Sequence, residues 1–119
     1  GILPEGQLNP SPEKGMLPIY RGAYTLAKMA KRPIQMMALY GVHQLWHPQH
    51  GMSPTSNRIK VRMYPHPRHF KNSNDFDLTF TNVVGYYGQH GNDIPHLKSW
   101  LDGTEYYKRQ LHQHLKATP

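Results

Sequence analysis

Pro33 places the strongest constraint on this chain, because it separates two segments whose side-chain periods are incompatible. Before it, Ala23, Leu26, Ala27 and Ala30 recur at i, i+3, i+4 and i+7, one face of a helix predicted from Gly22 to about Lys31. Lys28, Lys31 and Arg32 stand toward its end, where positive charge suits the helix dipole. A proline has no N–H to continue the ladder, so the helix stops there. After it, Ile34, Met36, Met37, Ala38, Leu39 and Tyr40 form a short apolar run ended by Gly41, which predicts a buried strand. A helix and a strand in immediate succession point to a mixed α/β architecture.

Further along, Ile59, Val61 and Met63 alternate with Lys60, Arg62 and Tyr64, the period-two pattern of a half-exposed strand, and Pro65 and Pro67 end it. Residues 9–15 and 43–57 carry the prolines and glycines of loops. Phe76, Phe80, Val83, Val84 and Tyr87 follow helical spacing, with Asn74 or Asp75 as the expected N-cap and Gly85 weakening the end. From Thr104 to about Lys116 a polar helix is expected, with Tyr107, Leu111, His114 and Leu115 on one side. The order of loop, helix, strand, strand, helix and helix fits the second half of an α/β domain. Residues 1–90 form that part and 91–119 a helical tail.

The 119 residues suffice for one domain, and only 37% are hydrophobic, so an independent core would be thin. Fourteen Lys and Arg against seven Asp and Glu give a formal charge of +7, which favours acidic partners: nucleic acid, anionic lipid headgroups or phosphorylated small molecules. With no cysteine there are no disulfides and no Cys-based zinc sites. No apolar run approaches the ~20 residues of a membrane span, so any membrane contact by this segment is peripheral.

The opening carries the chemistry. Leu3-Pro4-Glu5-Gly6 precedes a loop and then Leu17-Pro18-Ile19-Tyr20-Arg21-Gly22-Ala23-Tyr24. A glycine after the glutamate lets backbone amides approach a ligand, and Arg21 adds a cation beside the free N–H groups of a helix start. Together these would hold a phosphate. The bland alternative is a surface loop closing a strand–helix connection. A strand feeding the loop needs more apolar residues than Ile2 and Leu3, so the chain is expected to be a piece of something longer.

These blocks, followed by Pro33-Ile34-Gln35-Met36, resemble the glycerolipid acyltransferases, notably the 1-acylglycerol-3-phosphate (lysophosphatidate) acyltransferases. That family has a Phe-Pro-Glu-Gly-Thr-Arg block, a Leu-Pro-Phe-Lys-Lys/Arg-Gly-Ala-Phe block and a Pro-Ile/Val-x-Pro-Val strand. Gly41-Val42-His43-Gln44-Leu45-Trp46 and the basic strand from Arg58 to Tyr64 are similar to the segments that follow, and the resemblance covers about residues 2 to 87. It implies the C-terminal part of a mixed sheet flanked by helices, in a membrane-associated enzyme of phospholipid biosynthesis. The donor would be acyl-CoA or acyl-carrier protein and the acceptor a lysophospholipid or glycerol phosphate, with no further cofactor. Glu5, Gly6 and Gln7 would line the acceptor site, with Arg21 and Gly22 near its phosphate. The family's catalytic pair sits in an H-x-x-x-x-D motif upstream of the Glu-Gly block. No histidine here has an aspartate five residues on, so the resemblance assigns no catalytic residue to this chain, and the chain alone is expected to be inactive. Gln7 stands where the family has Thr, Leu8 where it has a phosphate-binding Arg, and Met36 replaces the second proline of the strand block.

Two rival chemistries need weighing. His47 and His50, His66 and His69, and His112 and His114 are close pairs, but without cysteines they read as solvated loop or helix histidines rather than metal ligands. Lys60, Arg62, Tyr64, His66, Arg68 and His69 interleave basic and aromatic residues, which would suit a nucleic-acid-binding or interaction module. The alternative is that Lys60 and Arg62 are the solvent face of an edge strand.

Overall fold

The computed structural model describes residues 1–2, 4, 16, 18–19, 22–41, 46–47, 51–52 and 59–117. It is a mixed α/β arrangement: α1 (Gly22–Ala30), β1 (Met37–Tyr40), β2 (Trp46–His47), β3 (Gly51–Met52), β4 (Lys60–Met63), α2 (Ser73–His90), α3 (Leu97–Leu101) and α4 (Thr104–Ala117). β1 pairs antiparallel with β4, and β2 with β3 in a minimal ladder inside the stretch expected to be loop. Among the described residues no helix is long and apolar enough to cross a membrane.

α1 begins and ends where the sequence pattern places it. Its last turn closes with Lys31 in the left-handed region (φ 55), with Arg32 N–H donating to Ala27 C=O at 3.0 Å and Lys31 N–H to Lys28 C=O at 3.2 Å. That is the Schellman pattern, normally built on glycine. Pro33 then turns the chain, and Ile34 forms an isolated antiparallel bridge with Arg68, each N–H donating to the other's carbonyl at 2.9 Å.

The strand beyond is not buried on both faces as the apolar run predicts. Ala38 is buried and Tyr40 half-buried, but Met37 and Leu39 are exposed. The register explains the pattern: Met37 lies opposite Met63 and Leu39 opposite Val61, so the apolar residues of both strands share the outer face, with Val61 58% exposed. The inner face meets α2. There Lys60 donates to the Gly91 carbonyl at 3.3 Å, and Arg62 grips both oxygens of Asp93 at 3.1 and 3.3 Å. The hydrogen bond and charge of Asp93 raise the Arg62 pKa. Alternation in β4 was legible, but its hydrophobic side faces outward.

α2 supplies most of the core: Phe76, Phe80, Val83, Val84 and Tyr87 are buried on the face its spacing predicts. Phe76 packs edge-on to Phe70 at 5.2 Å between ring centroids and tilts against Phe80 at 5.4 Å. Tyr64 is buried beneath the helix and its hydroxyl donates to the Val83 carbonyl at 3.4 Å. Burial is the main reason its phenol pKa is raised. The N-cap is Asn72, two or three residues before the expected one, because its side chain accepts the Asp75 N–H at 2.8 Å. Asp75, one helical turn in, is thereby freed to point inward. The helix runs through Gly85 and ends at Gly91 (φ 75), whose N–H donates to Tyr87 C=O at 2.8 Å. α3 was not anticipated; its five residues are too few for a periodic signal, yet Trp100 on it is 4% exposed. In α4 the buried aromatic is Tyr106, while Tyr107 and Leu111 on the expected apolar side are exposed.

Candidate anion-binding cleft

The end of α1 and the segment after β4 meet across the Ile34–Arg68 bridge. Between them lies a cleft of about 250 Å³ lined by Tyr24, Ala27, Lys28, Lys31, Arg32, Ile34, Arg68, His69 and Phe70. Tyr24, Ala27, Ile34 and Phe70 give it an apolar wall. Tyr24 is fixed by stacking against Phe76 at 6.3 Å between centroids. The other five lining residues are four cations and a histidine, and no carboxylate is among them.

Arg68 differs from the rest. Its Nη2 donates to Asp75 Oδ1 at 2.8 Å and to Thr79 Oγ1 at 3.3 Å, and its guanidinium lies 4.1 Å from the Phe70 ring centre. Asp75 also accepts from the Thr79 hydroxyl at 3.2 Å and the Lys71 N–H at 3.0 Å. Asn72 Oδ1 takes both the Asp75 N–H and the Tyr106 hydroxyl, the latter at 3.2 Å, which ties α4 into the same network. Arg68 Nε is buried without a hydrogen-bond partner. One wall of the cleft is therefore a rigid, buried ion pair. Its charge is largely neutralised at the Asp75 end.

Among the described residues Lys28, Lys31 and Arg32 have no such partner. Among the described residues the ion pairs are Arg62–Asp93 and Arg68–Asp75. Three exposed cations thus line a shared concavity at the end of α1, where the backbone is strained at Lys31, since a non-glycine residue in the left-handed region costs about 1–2 kcal/mol.

Of the sequence-predicted site residues, Gly22 is the exposed first residue of α1. Glu5, Gly6, Gln7 and Arg21 lie outside the described residues. With nine residues at ~1.5 Å rise, the Gly22 end of α1 is separated from the Lys31 end by about 13 Å. The cations Lys28, Lys31 and Arg32 thus lie toward the other end of α1 from Gly22, while Tyr24 carries the lining of the cleft back along the helix. In the basic stretch read against nucleic acid, Lys60 donates to the Gly91 carbonyl, Arg62 pairs with Asp93 and Arg68 with Asp75, and Tyr64 is buried. His66 and His69 are exposed, and among the described residues no group of three His, Asp or Glu is placed to hold a metal ion.

Sequence reading assigned Lys28, Lys31 and Arg32 to the helix dipole and missed their convergence with Arg68 and His69. Local spacing holds no signal for it, because the two segments are 34 residues apart and meet through long-range pairing, the Ile34–Arg68 bridge among it. Comparison with protein-family models, curated proteins and solved structures gives no match to this chain.

Proposed function

We propose that this chain is the acceptor-binding part of a glycerolipid acyltransferase, the C-terminal portion of its mixed sheet and flanking helices. The supporting observation is the ordered set of blocks around α1: Pro4-Glu5-Gly6, then Arg21-Gly22 at the mouth of the helix, then Pro33-Ile34 leading into a strand. In the reaction an acceptor hydroxyl attacks the carbonyl of an acyl thioester. A C–O bond forms, the C–S bond breaks, and the hydroxyl proton passes through a general base to the leaving thiol. The base belongs to an H-x-x-x-x-D segment outside these 119 residues. Arg21 and the first-turn amides of α1 hold the acceptor phosphate, while Glu5, Gly6 and Gln7 shape the pocket around its glycerol.

The test is a polypeptide in which this chain is joined to its H-x-x-x-x-D segment, assayed with acyl-CoA or acyl-carrier protein and lysophosphatidate or glycerol phosphate. Arg21→Ala is expected to raise the acceptor KM about tenfold or more, the loss of one charge-assisted contact. Unchanged acceptor kinetics would remove Arg21 from the site, and no acyl transfer by the joined polypeptide would sink the assignment.

Peripheral membrane contact belongs to the same proposal. The outer sheet face offers Met37, Leu39, Ile59, Val61 and Met63 in one exposed group, on a chain of formal charge +7. Co-sedimentation with vesicles containing anionic phospholipid is expected, and Val61→Glu should reduce it severalfold. Equal sedimentation of the variant would place the contact elsewhere.

A further inference from the structure

We propose that the cleft at the C-terminal end of α1 is a separate binding site for a phosphate monoester, held by Lys28, Lys31 and Arg32 against the fixed wall of Arg68. The charge pattern is the first reason. Among the described residues four cations and a histidine line the concavity with no carboxylate, and Arg68 alone of them has a buried ion-pair partner. Placing together three cations without an ion-pair partner among the described residues is unfavourable, and a dianion in their midst removes that repulsion.

The competing explanation is that these cations merely offset the helix dipole. A helix C-terminus carries about half an elementary charge, and the Schellman bonds already satisfy the Ala27 and Lys28 carbonyls. Half a charge does not account for three full ones, and it does not account for Arg68 and His69 arriving from another segment. Backbone strain is the second reason. Glycine is the unstrained choice at the Lys31 position, yet a lysine stands there and lines the cleft.

Size and polarity narrow the ligand. A cleft of about 250 Å³ has room for a phosphate and a few attached atoms. The apolar wall of Tyr24, Ala27, Ile34 and Phe70 favours a carbon-bearing ester over the free ion. A soluble phosphate ester and a lipid headgroup share this chemistry.

The site stands independently of the acyltransferase proposal, since it uses none of Glu5, Gly6, Gln7 or Arg21. Its test is binding to the full chain at constant ionic strength, by calorimetry and by chemical shift, with three probes: inorganic phosphate, glycerol 3-phosphate and a monomeric short-chain phosphatidate. At least one ester is expected to bind with Kd at or below about 1 mM and to shift the resonances of Lys28, Lys31 and Arg32. Binding by glycerol 3-phosphate assigns a soluble ester, and binding by phosphatidate alone assigns a lipid headgroup. Lys31→Gly is the diagnostic variant: its Tm should rise by a few degrees without ligand while ester affinity falls about tenfold. The doubly substituted Lys28→Gln, Arg32→Gln chain should lose binding, and Lys98→Gln, on α3, should keep it. No binding by either ester at 20-fold the expected Kd, or equal affinity in the double variant, overturns the site.

Discussion

Replacing Asp75 with alanine is expected to destabilise the fold by about 3 kcal/mol, read as a fall in the urea midpoint at unchanged slope. The Asp75 side chain is 2% exposed and accepts from Arg68, Thr79 and the Lys71 backbone at once. Alanine leaves the Thr79 hydroxyl and the Lys71 N–H without this acceptor, and the Arg68 guanidinium with Thr79 but without its counter-charge. Breaking a buried pair from one side costs about 3–5 kcal/mol. The lower end applies because the Arg68 side chain is 17% exposed and keeps some water at the cleft. The exposed Arg62–Asp93 pair, bidentate as it is, should contribute only ~0.2–1 kcal/mol, because solvent screens it. Two controls separate charge from packing. Asp75→Asn keeps an acceptor oxygen and should cost less, and pairing Asp75→Ala with Arg68→Met should recover part of the loss. A double variant no more stable than Asp75→Ala would show that the pair's charge was not the issue.

That network also marks how far sequence reading goes. The helix from Gly22 to its stop before Pro33 was legible, because apolar spacing, terminal cations and a proline all agree. So was the buried face of α2, five residues long in its apolar repeat. Asp75 was legible as belonging to a helix start but not in its role. Its inward turn depends on Asn72 taking the cap and on Arg68 arriving from the other side of the bend. For β4 the alternation was visible and its sense was not: period two specifies two faces, and the partner alone decides which is covered. Here the covering helix ends at Gly91 beside Asp93, so the charged face is the one that finds partners. The candidate cleft was illegible for the same reason, since Arg32 and Arg68 come to line one cleft only through long-range pairing such as the Ile34–Arg68 bridge. The candidate acceptor site rests on blocks read in the sequence, and of its residues only Gly22 lies among those described.

Gly103→Ala is the second large effect expected, a loss of about 2–5 kcal/mol from two sources that can be measured apart. Gly103 joins α3 to α4 at φ 87, a left-handed conformation that costs alanine about 1–2 kcal/mol wherever it occurs. A methyl group there would also stand 2.7 Å from Arg68 Nη1. An arginine head at the tip of a free side chain would swing away at little cost. This one cannot, because Nη2 is held by Asp75 and Thr79 and the guanidinium lies over Phe70. The clash is therefore taken up by the ion pair or by the α3–α4 turn, at a cost of roughly 1–3 kcal/mol as for other overpacked sites. Combining Gly103→Ala with Arg68→Met should remove the steric part and leave the backbone part, so the two substitutions should be less than additive by at least 1 kcal/mol, roughly. Strict additivity would mean that the turn yields without disturbing Arg68, and would confine the role of Gly103 to its backbone angle.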